Sequence, residues 1–122
     1  MEQRICPFYV VTGNTCGSAN TAVAIWFAEA YRWVQGSTWL GILNPLSVEQ
    51  TVRVTLIGKN VTRTLTVPPR FRIVEELGAW NVSGDFGVEV ICASVCAASL
   101  AMWDAPMKTA HESIPIVGCE VR

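Results

Sequence analysis

The residue types that support catalysis are scarce in this sequence. His111 is the only histidine among the 122 residues, so a Ser-His-Asp or Cys-His arrangement would have to use it. Glu112 and Ser113 follow it directly, but adjacent side chains in a strand or turn point apart, and no Gly-x-Ser-x-Gly elbow is present. The glycines are scattered, and none precedes the Lys-Ser or Lys-Thr pair of a phosphate-binding loop. We therefore predict that the chain is not an enzyme and needs no cofactor.

Cysteine is the second reactive residue type, with five copies. Cys92 and Cys96, together with Cys119 and His111, would make a Cys₃His set for zinc. Zinc sites usually place closely spaced cysteine pairs on turns, whereas this pair flanks apolar residues. The spacing alone does not favour a metal site, and we predict none.

Disulfide pairing leaves two interpretations open. Because five is an odd number, at most two intramolecular disulfides form and one thiol remains. In one interpretation Cys92 and Cys96 are small core hydrophobes, as free cysteines often are. In the other a disulfide joins Cys119 to Cys6 or Cys16 and ties the ends of the chain together. The number of cysteines is high for a reducing compartment.

Five tryptophans are many for a small domain. Each buries roughly 150–250 Å², and a domain of this size fully hides about two or three of them. We expect at least one to be exposed, first of all Trp33 or Trp80 in predicted loops, and Trp39 is a third interface candidate. An exposed tryptophan serves protein contact or sugar stacking, and the alternative is a partly covered residue at the rim of the core.

One stretch of the sequence is unevenly charged. Between positions 50 and 72 there are five basic residues and no acidic one. The basic residues are Arg53, Lys59, Arg63, Arg70 and Arg72. The four arginines are candidates for a basic face that binds nucleic acid or an acidic glycan. Because Phe71 is the only aromatic residue among them, we favour a solvated outer face that blunts sheet edges, and a nucleic-acid partner is not expected.

The elements that must position these residues are strands. Residues 49–57 alternate valine and leucine with threonine and arginine, which is the period of two of a half-buried strand. Residues 58–60 form a turn cluster, and the alternation resumes over residues 61–67. The two runs predict a β-hairpin.

Further short runs complete the fold prediction. Residues 86–92 and 97–103 are expected to pair as a second hairpin, although alanine-rich residues 95–102 leave a helix open. Pro115 places the last run, residues 114–121, at a sheet edge. The other predicted strands cover residues 5–11, 24–28, 38–43 and 71–75. Eight or nine short strands predict a single all-β domain over residues 1–122, an antiparallel β-sandwich of immunoglobulin-like or jelly-roll-like kind.

Composition excludes several classes of protein. Hydrophobic residues make up 51% and charged residues 16% of the chain, so it is not a disordered tail. The formal net charge of −1 rules out binding to nucleic acid by net charge alone. The longest apolar runs, residues 22–30 and 94–103, are shorter than the ~20 residues of a membrane-spanning helix, so we expect no membrane insertion. No signal peptide is visible, which leaves the location open. The five cysteines are unusual for a reducing compartment, so we favour a virus particle or an extracellular surface over the cytoplasm.

Short motifs give the sequence a resemblance to known β proteins. Residues 26–31 read Trp-Phe-Ala-Glu-Ala-Tyr, residues 38–45 end in Ile-Leu-Asn-Pro, and residues 67–70 read Val-Pro-Pro-Arg. This order resembles bacterial extracytoplasmic β-sandwich repeats, whose closing Met-aromatic pair and His-containing turn match residues 102–103 and 111–114. It is also similar to the small sensory rhodopsin transducer family. The resemblance implies an all-β, soluble, oligomeric protein with a non-catalytic role.

The sequence departs from this pattern at two places. Ala30 stands where the pattern has glycine after Ala28-Glu29. Residues 98–101 lack the charged residue that precedes the Met-aromatic pair in the similar families. A partner recognised through that charge is therefore not implied.

High apolar content, few charges and surplus tryptophan favour a non-enzymatic binding module. We expect it to self-associate or to decorate a larger assembly, such as a cell surface, a filament or a virus particle. Two alternatives stay open. One is a cytoplasmic signalling adaptor similar to the rhodopsin transducers, which would bind a membrane receptor or DNA through its basic residues. The other is a carbohydrate-binding module that holds a glycan with exposed tryptophans.

Overall fold

A computed structural model of the chain describes residues 9–10 and 22–118. These residues form nine strands and one turn of 3-10 helix at Leu77–Trp80. The strands are β1 (Tyr9–Val10), β2 (Ala22–Arg32), β3 (Gly36–Leu43), β4 (Gln50–Ile57), β5 (Val61–Val67), β6 (Arg72–Glu76), β7 (Gly84–Asp104), β8 (Thr109–Glu112) and β9 (Pro115–Gly118). The predicted all-β class is confirmed. No helix in the described ranges has the length and apolar character needed to cross a membrane.

Two antiparallel sheets share one long strand. The larger sheet has the order β1-β9-β2-β7-β4-β5, and the smaller sheet has the order β8-β7-β3-β6. Within β7, residues 84–96 pair with the larger sheet and residues 97–104 pair with the smaller one. A strand that changes sheets makes the corner of a sandwich and places the two sheets face to face.

The expected hairpin of residues 86–92 and 97–103 is wrong, because both runs belong to the single strand β7. The intervening Ala93-Ser94-Val95 contains no glycine, proline or asparagine that would reverse the chain. The strand bulges instead. Two steps along β2, from Ala22 to Ala24, match five steps along β7, from Cys96 to Ile91. The helix considered at residues 95–102 is absent, since these residues are strand throughout.

Cys92 and Cys96 close this bulge. A disulfide joins them, and their Cα atoms lie 6.0 Å apart, whereas four residues of straight strand span about 13 Å. Both side chains are buried. The interpretation of two free thiols is therefore wrong about bonding, because the bend brings together residues that a straight strand keeps apart. The other candidates, Cys6, Cys16 and Cys119, lie outside the described residues.

Two buried amides hold the bulge against a neighbouring loop. Gln50 Nε2 donates to the carbonyl of Val95, and Gln50 Oε1 accepts from the Ser94 amide at 3.0 Å. Gln50 Nε2 also donates to Asn44 Oδ1 at 2.6 Å. The carbonyls within reach of Asn44 Nδ2 are those of Val48, Val67 and Pro68. Asn44 belongs to the Ile-Leu-Asn-Pro motif, so that motif has a structural role here.

The predicted hairpin of residues 49–67 is confirmed as β4 and β5, joined by a turn at residues 58–60. Gly58 (φ 94°) and Asn60 (φ 56°) take the left-handed backbone that such a turn needs. The core side chains alternate with exposed ones along β4, as a period of two requires. Large, fully buried core members are Ile25, Phe27, Leu40, Ile42, Val52, Val54, Leu56, Leu77, Val88, Val90 and Leu100.

The Trp-Phe-Ala-Glu-Ala-Tyr segment forms a bulge in β2. The register shifts between Phe27 and Ala30, so residues 28–29 stand opposite the single residue Gly87. Ala30 is buried with 1% exposure. An alanine therefore fits where the similar pattern has glycine.

The two short strands near the end of the chain differ from expectation. β9 lies between β1 and β2 instead of at a sheet edge. Pro115 is tolerated there because it is the first residue of its strand. β8 has four exposed residues and escaped prediction, since it carries no buried alternation.

Candidate functional site

The solvent-facing side of the smaller sheet is apolar. Four large side chains on it are 44%, 41%, 42% and 40% exposed, namely Trp39, Leu43, Val74 and Trp103 in that order. The small residues Gly41, Ala97, Ser99 and Ala101 lie between them on the same face. We call the surface formed by these eight residues the platform.

The strand register places the platform residues on one face. Residues directly opposite each other in an antiparallel pair lie on one face. The pairs across β3 and β7 are Trp39–Ala101, Gly41–Ser99 and Leu43–Ala97. Each large side chain of β3 thus has a small neighbour on β7. Trp103 is diagonal to Trp39, at about 7–8 Å by the usual cross-strand spacing, so both side chains lie on the same face.

An arginine lies across the middle of the platform. A Cβ built on Gly41 would stand 3.5 Å from Arg72 Nε and 3.6 Å from Nη2. The guanidinium therefore rests on the glycine, between Trp39 and Leu43 of the same strand. Arg72 is exposed. Its side chain makes no hydrogen bond or ion pair with another residue within 9–10 and 22–118.

Two carboxylates border this surface and differ in their contacts. Glu76 is half-buried at the end of β6, where its Oε1 accepts from the Thr38 amide at 3.3 Å and its Oε2 from the Ala79 amide at 2.9 Å. Glu112 on β8 lies opposite Ala101 and is exposed. In the part of the chain that the structure describes, the Glu112 carboxylate makes no hydrogen bond or ion pair. The platform thus carries one cation and one anion that are open to an outside partner.

The tryptophan candidates divide between surface and core. Trp39 lies on the platform, whereas Trp80 is only 4% exposed in the 3-10 turn. The guanidinium carbon of Arg63 stands 4.9 Å from the centre of the Trp80 ring. The prediction that Trp80 is exposed in a loop is therefore wrong, because the turn folds over the end of the core. The broader expectation of at least one exposed tryptophan is confirmed by Trp39 and Trp103.

Trp33 is half-buried in an aromatic cluster with His111. Its ring centre lies 4.9 Å from that of Tyr31 and 5.5 Å from that of His111. His111 Nε2 is also 3.3 Å from the hydroxyl of Thr109. His111 pairs with Met102 and Glu112 pairs with Ala101, so the two side chains point to opposite sides of β8. These neighbours therefore do not assemble into a catalytic dyad.

The four candidate arginines do not share a surface. Arg53 lies on the solvent-facing side of the larger sheet, and Arg63 lies on the core side of β5 over Trp80. Arg72 lies on the platform, and Arg70 occupies a turn with φ of 52°. Arg53 and Arg63 lie on opposite sides of the larger sheet, and Arg72 belongs to the smaller sheet. The basic residues clustered in the sequence therefore do not form one basic face.

Metal-binding chemistry has no support in the described ranges, where no three His, Cys, Asp or Glu side chains cluster as ligands would. Cys92 and Cys96 are bonded to each other. The remaining thiol of the proposed zinc set, Cys119, is outside those ranges.

Of the four large platform residues, only Trp39 was a candidate from the sequence, and Leu43, Val74 and Trp103 were missed. A signal for them was present in β7. Positions 97, 99, 101 and 103 read Ala, Ser, Ala, Trp, and they alternate with the core residues Leu100 and Met102. Small residues at every second position, ending in a tryptophan, indicate a flat face with room for a partner.

No protein-family model matches this sequence, and no curated protein matches it. Among solved structures, the chain is similar to Thermotoga maritima 1070, with a TM-score of 0.68, 15% identity, and coverage of 77% of this chain and 92% of that one. It is also similar to the Anabaena sensory rhodopsin transducer, with a TM-score of 0.54, 20% identity, and coverage of 63% and 91%. The β-sandwich repeat pattern finds no confirmation in these comparisons. At such identities the likeness shows the fold alone, and the chain shares its all-β fold with both proteins.

Proposed function

We propose that this chain is a non-enzymatic binding module that acts by self-association through the platform. The observation that carries the proposal is the apolar outer face itself, with two tryptophans, a leucine and a valine facing solvent on one sheet. Large contiguous apolar patches on soluble proteins usually mark interaction sites. Interface centres are rich in tryptophan and poor in charge, and the platform has that composition.

The size of the platform sets the expected strength. The four strands of the smaller sheet, about 4.8 Å apart, contribute eight, eight, five and four residues at about 3.3 Å each, which projects roughly 400 Å². A standard stable interface takes about 800 Å² from each partner. A second copy that covers the whole platform therefore buries less than a standard interface does, and we expect a weak, reversible dimer.

Sedimentation velocity over a concentration series tests the proposal on the full chain and two variants. Trp39→Lys places a charge in the platform. Ile57→Lys is the matched control, because Ile57 is 49% exposed on a strand of the larger sheet. We expect the unmodified chain and Ile57→Lys to dimerise alike, and Trp39→Lys to raise the dissociation constant about tenfold or more, since a buried unpaired charge is costly. A monomer at every concentration, or equal behaviour of both variants, contradicts the proposal, and far-UV circular dichroism checks that each variant is folded.

A signalling adaptor is the second candidate, and the fold likeness to the Anabaena sensory rhodopsin transducer supports it. Such an adaptor would bind a membrane receptor or DNA. The arginines face different directions, so a broad basic surface does not support this candidate. Titration with duplex DNA at several salt concentrations tests the nucleic-acid form, which requires affinity to fall steeply as salt rises.

A further inference from the structure

We infer that two copies face each other across the platform so that Arg72 of each copy pairs with Glu112 of the other. The inference rests on the self-association proposed above and adds the orientation of the second copy. The contact is an ion pair that neither copy makes alone.

A partner that covers the platform must supply a hydrogen-bond acceptor for the Arg72 guanidinium. Its guanidinium rests on Gly41 among apolar side chains and makes no ion pair with the described part of its own chain. Covering it with an apolar surface would remove water from a charge without replacing the lost hydrogen bonds, which is strongly unfavourable. A suitable partner therefore presents a carboxylate at this point, and a bidentate pair is the geometry that arginine favours.

A second copy offers such a carboxylate on the same face. Glu76 is already held by the amides of Thr38 and Ala79. Glu112 is exposed and has no partner among the described residues. Arg72 and Glu112 stand on the two edge strands of the smaller sheet, β6 and β8, with β3 and β7 between them. The surface is therefore self-complementary in charge, positive toward one edge and negative toward the other.

Two-fold symmetry makes one such contact into two. In a symmetric dimer, if residue i of one copy touches residue j of the other, then j touches i as well. Each dimer thus contains two Arg72–Glu112 pairs, related by an axis that lies in the interface. The small residues Ser99 and Ala101 of β7 lie between the pairs, and the two tryptophans lie beside them. Charge pairs across an interface fix orientation and exclude wrong arrangements, and here they exclude any in which Arg72 meets Arg72.

Charge reversal tests the pairing with two variants and their mixture. In Arg72→Glu every copy carries two acidic side chains at the paired positions, and in Glu112→Arg every copy carries two basic ones. Each variant alone therefore faces two like-charge contacts in a dimer. An equimolar mixture restores both opposite-charge contacts, because the Glu at position 72 meets the Arg at position 112, and native Glu112 meets native Arg72. Arg53→Glu, on the outer face of the larger sheet, is the matched control.

We expect each reversal alone to weaken dimerisation about tenfold or more, and the mixture to form a heterodimer within about threefold of the native dissociation constant. Analytical ultracentrifugation with one variant fluorescently labelled measures both, and Arg53→Glu should match the native chain. A native dimer that tolerates both reversals, or a mixture no tighter than the separate variants, overturns the pairing while leaving self-association intact. A native chain that stays monomeric throughout overturns self-association and the pairing with it.

Discussion

The two halves of β7 run through different sheets and have opposite outer faces. In the first half Glu89 faces solvent and accepts a hydrogen bond from Trp26 Nε1 at 3.0 Å. The Thr55 and Thr62 hydroxyls continue that row at 3.2 Å from each other. In the second half the outward positions lead to Trp103 and the platform, whose large side chains are apolar and partly exposed to solvent.

The composition of the buried side of β7 therefore does not determine the composition of its solvent-facing side. Both halves bury valine, leucine or methionine at every second position, so their inner sides serve the sandwich in the same way. The outer side of the first half carries charged and polar groups, as a face in contact with water does. The outer side of the second half leaves apolar area uncovered, which is the mark of a surface that another molecule covers.

The junction between the halves gives the largest expected effect. Gln50 is 2% exposed and bonds both the Ser94 amide and the Val95 carbonyl, where β7 changes sheets. Gln50→Ala leaves buried polar groups unpaired, and we expect it to lower the free energy of unfolding by about 2–3 kcal/mol. Chemical denaturation measures the loss, and hydrogen exchange should show faster opening at the centre of β7.

Gln35→Ala is the matched control, because the same side chain is removed from an exposed turn. We expect a change of less than about 0.5 kcal/mol there. Equal losses in the two variants would mean that the amide network does not hold the junction.

The disulfide at the same junction has the next largest effect. It closes a loop with a sequence separation of four, for which the chain-entropy model gives about 2 kcal/mol. We expect reduction, or the double change Cys92→Ser and Cys96→Ser, to lower the melting temperature by roughly 5–10 °C. Intact-mass measurement with and without reductant checks that the bond is present.

A variant with serine at Cys6, Cys16 and Cys119 isolates this bond from the other thiols. If that variant shows no mass change on reduction, then Cys92 and Cys96 are not paired in solution. If it shows the mass change but no loss of stability, the disulfide does not support the bend.

The sequence predicts local alternation well and predicts the path of the chain poorly. The β4–β5 hairpin follows from a strict period of two and a turn rich in glycine and asparagine, both of which lie within a few residues of each other. The continuity of β7 does not follow, because its alternation breaks at residues 92–96 in the same way as a loop would break it. Only the pairing with β2 shows that the break is a bulge.

The platform could be predicted only in part, because the sequence shows residue types but not the register between distant strands. Trp39 could be named from its residue type, whereas the pairing of Leu43 with Ala97 and of Gly41 with Ser99 depends on register between strands far apart in sequence. Trp80 was misplaced because a short turn folds over the core, and no periodic pattern announces such a turn. The burial of such residues depends on pairing between strands that are far apart in the sequence, and residue type and local spacing do not predict that pairing.

Replacing glutamate by alanine on the outer face of each sheet should change stability least. Glu89→Ala removes the acceptor of the Trp26 indole, and we expect a loss of about 0.5–1 kcal/mol. Glu112→Ala removes a carboxylate that bonds no residue of the described chain, and in dilute monomer its stability should change by less than about 0.3 kcal/mol. Thermal unfolding at a concentration well below the dimer range, followed by tryptophan fluorescence, measures both. Because the same atoms are deleted from similar strands, a larger loss for Glu112→Ala would show that the outer face of the smaller sheet is satisfied within one copy, and the contrast between the two halves of β7 would then fail.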